Sequence, residues 1–153
     1  MLRSSASIAG AKAKVFGQYF ENILSVHCRK QNIRFEQIPS GCKWVGKKPI
    51  PVKTPFDFIA SKHGRAVVFD AKTTAGSSFS KSACKEHQIE SLFKFELSGL
   101  TAGYIVWFRE VDSIVFFKAS ELKQLPSRCS LKVSDGLFLG TKSNLNLGVL
   151  FCG

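Results

Sequence analysis

"TPFDFIASKHGRAVVFDAKTT", residues 54 to 74, holds two apolar runs, "PFDFIA" and "RAVVFDAK", on either side of "SKHG". Phe, Val and Ile fit a pleated surface, and "SKHG" reads as a hairpin turn joining two strands. A strand alternates faces, so Val68, Asp70 and Lys72 share one side and Phe69 and Ala71 the other. Asp57 lies between Phe56 and Phe58 and points opposite to them. If the hairpin pairs in this way, Asp57 stands across from Asp70, and two carboxylates and one ammonium meet on a common face.

Two carboxylates so close repel unless a proton or a divalent cation relieves them. With no Cys or His in the set, oxygen ligands favour Mg²⁺ over zinc. An acid-x-Lys triplet arises easily by chance. The chain has another, Glu121-Leu122-Lys123, in a stretch that reads as a surface helix with no acidic strand before it, and its meaning is a solvated face.

Working outward, "KVFGQYFENILSVHCRK" is a helix, with Phe16, Phe20, Ile23 and His27 on one stripe and Glu21 at its edge. "IRFEQI" (33 to 38) is a short strand. "PSGCKWVGKKPIPVKTP" reads as an exposed basic loop, because Gly, Pro and Lys dominate it. "TTAGSSFSKSA" is a small-residue loop, and "CKEHQIESLFKFELSG" an amphipathic helix stopped by Gly99. "AGYIVWFRE" and "SIVFFKAS" are strands, "ELKQL" a short helix, and residues 126 to 153 further strand and loop. Strands interleaved with helices predict an α/β fold, a mixed sheet flanked by helices.

The 153 residues suit one domain, 1 to 153, with residues 1 to 12 as a flexible basic arm. Residues 1 to 54 carry ten basic and two acidic side chains out of totals of 22 and 11, so the positive excess sits on one flank of the acidic cluster. That layout suits a polyanion held beside a cation site. The five cysteines, at 28, 42, 84, 129 and 152, form no C-x-x-C pair, which argues against a disulfide framework or structural zinc and for a reducing cytoplasm. No apolar run approaches the roughly 20 residues of a membrane span.

The layout "TPFDFIA…VVFDAKTT" resembles the PD-(D/E)xK nuclease superfamily, with an acid on one strand and acid-x-Lys on the next. More narrowly, "FDAKTT" followed by "KEHQIESLFKFELSGLTAGYIVWF" resembles the RecU-type Holliday junction resolvases of bacteria and their phages, over about residues 54 to 118. The resemblance implies a restriction-endonuclease-like core. It implies Asp57 and Asp70 as metal-binding carboxylates, Glu21 as a further metal-site acid, Lys72 as the catalytic lysine and Gln88 as a catalytic glutamine. Spacing independently turns Gln88 inward, four residues before Leu92 and seven before Phe95, whereas Glu86 and His87 face solvent or substrate.

The activity implied is Mg²⁺-dependent hydrolysis of phosphodiesters in branched DNA, with Mn²⁺ as a substitute metal, in recombination or repair. The implied setting is the cytoplasm of a bacterial or phage-infected cell. Lys43, Trp44, Lys47, Lys48 and Lys53 would hold the DNA backbone, with the indole as a stacking surface. RecU-type proteins carry a long stalk before the first acidic strand, and only "GCKWVGKKPIPVK" occupies that place here. Two alternatives stand beside this reading, another nuclease of the superfamily of restriction or repair type, and a non-catalytic basic DNA-binding module. Symmetric cutting of a four-way junction implies a homodimer, and Phe108, Phe116 and Phe117 supply apolar surface for its interface.

Overall fold

The computed structural model describes residues 5 to 152. Helix α1 (Ser5–Lys30) is followed by strands β1 (Arg34–Gln37), β2 (Cys42–Val45), β3 (Lys48–Pro51), β4 (Phe58–Lys62) and β5 (Arg65–Thr74). Then come β6 (Ser78–Ser80), α2 (Glu86–Leu97), β7 (Thr101–Phe108), β8 (Ser113–Lys118), α3 (Ala119–Gln124), β9 (Ser130–Lys132) and β10 (Leu137–Gly140). A six-stranded sheet runs in the order β1-β4-β5-β7-β8-β10. Within it β5 and β7 are parallel, joined through α2, and the remaining neighbours are antiparallel. This is the mixed sheet with flanking helices that the sequence predicts.

The β4–β5 connection is a tight two-residue turn. His63 and Gly64 have φ of 52° and 75°, both in the left-handed region that hairpin turns of this length demand. Strand alternation then sorts the core. Val67, Phe69, Ile105, Trp107 and Phe116 face α1, which contributes Phe20, Ile23, Leu24 and Cys28. Val68, Tyr104, Val106, Phe108 and Phe117 face the other way and meet Ile89 and Leu92 of α2 and Leu122 of α3. With both faces covered, β5 and β7 become apolar almost throughout, which makes the charges on β5 conspicuous.

Three expectations change. Residues 5 to 12, expected within a flexible basic arm, form the first turns of α1, because "SASIAGAK" is rich in Ala and holds no proline; residues 1 to 4 lie outside the described residues. Phe108, Phe116 and Phe117 are buried in the core and form no free apolar surface, since β7 and β8 lie inside the sheet and are covered on both faces. The stretch read as a basic loop is a two-stranded hairpin. Its two-residue turn starts with Gly46 at φ 63°, and every residue from Cys42 to Lys53 is exposed. Val45 and Lys48 flank the turn as a hydrogen-bonded pair, so Pro49 and Pro51 fall opposite Trp44 and Cys42 at positions where the ladder needs no N–H.

Candidate active site

The β4–β5 register pairs Phe58 with Phe69 and Ile59 with Val68. Carried one residue further, it brings Asp57, just ahead of β4, opposite Asp70. The Asp57 backbone is held where β1 ends, its carbonyl accepting from Ile38 N at 2.8 Å. Its Oδ1 accepts from Gln88 Nε2 and from Thr54 Oγ1, each at 3.3 Å. Gln88 sits in the first turns of α2, which packs over β5 and β7, and it is only 5% exposed. The inward orientation expected from its spacing is what the structure has.

Asp70 is 1% exposed, and Lys72 Nζ lies 3.1 Å from its Oδ2. The alternation that put both on one face therefore brings them into contact, at an angle that leaves Oδ2 without a hydrogen bond. Burial pushes the Asp70 carboxyl up to about 7. The hydrogen bond with Asp57 raises it further, and the Lys72 ammonium offsets part of the rise. Near neutral pH the Asp70 carboxyl is therefore partly protonated.

Glu21, half-buried on α1, lies within the electrostatic field of Asp57. Its carboxyl is raised first by burial and then by that neighbour. Among the described residues no three His, Cys, Asp or Glu side chains close around one point, so Glu21 flanks the aspartate pair. The lysines at 43, 47 and 48 and Trp44, which is 67% exposed, stand on the exposed hairpin, and Lys53 is exposed on its return toward Thr54.

Three residues around the pair escaped the sequence reading. Thr54 is one. Tyr104 is the register partner of Asp70 on β7, fully buried, with its hydroxyl lacking a hydrogen bond; burial raises its pKa strongly. Cys84, ahead of α2, is pushed up to about 12, mainly by burial, and so is an unreactive wall of the site. Counting the β5–β7 register would have found Tyr104, but that pairing is long-range and invisible to local pattern.

The donor set is suited to a hard divalent cation. Asp70 Oδ2 and Gln88 Oε1 are buried oxygens with no hydrogen-bond partner, beside two carboxylates whose mutual repulsion a cation would relieve.

The sequence profile of the RecU family, Recombination protein U, matches residues 18 to 134, a span that includes every residue of this site. The chain belongs to the RecU family. That family is the one its "FDAKTT" and "EHQI" segments resemble, the Holliday junction resolvases. Among solved structures the fold is similar to that of Hjc from Archaeoglobus fulgidus, a Holliday junction resolvase from an archaeal hyperthermophile. The TM-score is 0.56 at 18% identity, over 80% of this chain and 95% of that one. No curated protein sequence gives a significant match. RecU membership makes the protein a resolvase-class endonuclease, of a family that generally needs a divalent metal.

Proposed function

We propose that this RecU-family protein cuts four-way DNA junctions using Mg²⁺, with Mn²⁺ as a substitute, held by Asp57 and Asp70 with Glu21 alongside. The observation that carries the reading is buried Asp70 beside half-buried Asp57, with Lys72 Nζ 3.1 Å from Asp70 Oδ2. A binding module would gain nothing from such a pair, since burying charge is costly unless it is used. When bound there, a divalent cation supplies Lewis acidity at the scissile phosphate and lowers the pKa of a neighbouring water.

The chain's own groups do the rest. Lys72, partly open to solvent, orients the attacking water and offsets charge that develops on the phosphate. Gln88 fixes Asp57 through its amide N–H and offers Oε1 to a water or the cation. Lys43, Lys47, Lys48 and Lys53 carry the DNA backbone along the hairpin, and the exposed indole of Trp44 is a stacking surface for bases.

Paired cutting of a junction needs two sites related by a two-fold axis, so a homodimer belongs to this reading. Its contact surface is the outer strand β10, where Leu137 and Phe138 are 48% and 55% exposed on opposite faces at the edge of the sheet. We assign the activity to the cytoplasm of a bacterial or phage-infected cell; among the described residues no helix is long and apolar enough to cross a membrane.

The test is to incubate the protein in parallel with linear duplex, flap and four-way junction, with Mg²⁺ and with EDTA. Symmetric nicks in the junction with Mg²⁺ alone are expected. Equal cutting of all three substrates would point to a general nuclease, and binding without cutting to a module.

A further inference from the structure

Residues 39 to 56 leave the sheet after β1 and return at β4, and the hairpin is their outer part. The neck of this excursion is the Ile38 N–H donated to the Asp57 carbonyl at 2.8 Å. Nearer the tip, Val52 N donates to Gly41 O at 2.9 Å and extends the hairpin ladder by one more pair. Every residue from Pro39 to Pro55 is exposed except Thr54. Thr54 turns inward, and its hydroxyl reaches Asp57 Oδ1 at 3.3 Å.

The local sequence explains why it can. Pro55 biases the preceding residue toward extended backbone, so Thr54 has little freedom to swing away. The Thr54-Pro55-Phe56-Asp57 spacing is that of a helix capping box, but strand β4 follows instead of a helix. The acid is therefore not consumed in capping backbone N–H groups. Gln88 Nε2 donates to the same oxygen from α2, so two donors from separate elements set the rotation of one carboxylate.

We propose that Thr54 is a positioning residue: it orients Asp57 for the cation and ties the returning strand of the DNA-holding hairpin to the catalytic centre. This rests on Asp57 being a metal ligand, as read above.

Two substitutions isolate the hydroxyl. Thr54→Val keeps the shape and removes the donor, and Thr54→Ser keeps the donor. Three quantities are measured: Mn²⁺ binding to the DNA-free protein by electron paramagnetic resonance, affinity for a synthetic four-way junction in EDTA, and single-turnover cleavage at saturating junction with Mg²⁺. Thr54→Val is expected to weaken Mn²⁺ binding and slow cleavage, each by roughly 10-fold, with junction affinity unchanged. Thr54→Ser is expected to stay within about two-fold of wild type in all three.

The proposal is overturned if Thr54→Val binds Mn²⁺ and cleaves like wild type. It is also overturned if Thr54→Ser is as impaired as Thr54→Val, since shape and not the hydroxyl would then matter. A wild-type protein that binds no Mn²⁺ would overturn the metal reading itself and this inference with it. A variant that loses only junction affinity would make Thr54 part of the DNA surface, again against the proposal.

Discussion

Asp70→Asn should make the metal-free protein more stable at alkaline pH while abolishing its cleavage activity. The Asp70 carboxyl moves from an ordinary 3.8 to about 7 on folding, chiefly through burial. Well below pH 3.8 the carboxyl is protonated in both the folded and unfolded chains and costs nothing. As pH rises from 4 to 7, the unfolded chain ionises first and the folded chain is progressively penalised. At about 1.4 kcal/mol per pH unit, the loss reaches about 4 kcal/mol above pH 7, of which about 3 falls between pH 5 and pH 8. Asparagine has the same shape and cannot ionise, so the variant escapes that slope. Urea unfolding of both proteins in EDTA at several pH values isolates the effect of Asp70 and the groups coupled to it, because the remaining titrating groups are common to the two. The stability difference, variant minus wild type, should grow by about 3 kcal/mol from pH 5 to pH 8. Adding Mn²⁺ at pH 8 should stabilise the wild type and not the variant. Parallel pH curves for the two proteins would refute the argument, because Asp70 would then not carry the burial cost assigned to it.

Lys72→Ala should slow single-turnover cleavage by about 10² to 10³-fold and leave the salt dependence of junction binding within about one phosphate equivalent; full activity would remove Lys72 from the mechanism. Replacing Lys47 and Lys48 together by Ala should weaken binding to duplex, flap and junction alike and flatten log affinity against log salt by roughly two at most. A loss confined to the junction would show that the hairpin reads branch geometry rather than charge alone. Phe138→Asp should turn a dimer into a monomer in light scattering at micromolar protein, because it places a charge on the apolar edge of β10; an unchanged dimer would move the interface elsewhere.

Where local pattern and tertiary environment agree, the fold was legible. The period-2 run through "VVFDAK" assigned Asp70 and Lys72 to one face, and the two-residue turn at His63–Gly64 set the β4–β5 register that brings Asp57 to Asp70. The hairpin at residues 42 to 51 was illegible for a physical reason: prolines normally argue against strands, and only the alternation of hydrogen-bonded and non-bonded pairs shows that Pro49 and Pro51 cost no ladder bond. Phe108, Phe116 and Phe117 misled in the opposite sense. Their number looks excessive for one sheet face, but Phe116 packs toward α1 while Phe108 and Phe117 pack toward α2 and α3. Two covered faces absorb what one could not.

The site divides in the same way. Gln88 could be found from helix periodicity because α2 buries the stripe it belongs to. Tyr104 could not, since its place beside Asp70 depends on β5 and β7 being parallel neighbours, a pairing between residues far apart in the chain. Thr54 is the instructive case. Thr-x-x-Asp is visible in the sequence, but its usual meaning is a helix start, and only the strand that follows turns it into a hydroxyl aimed at a carboxylate. The hairpin is a short projection, and the chain returns from it directly into Asp57. The hairpin and the Asp57 carboxylate at its base are thus joined through the neck at Ile38 and Asp57 and through Thr54. Lengthening this return by inserting two glycines between Lys53 and Thr54 should therefore slow cleavage far more than it weakens junction binding, as single-turnover rates and affinities in EDTA would show. A parallel fall in both would mean that the hairpin acts on affinity alone.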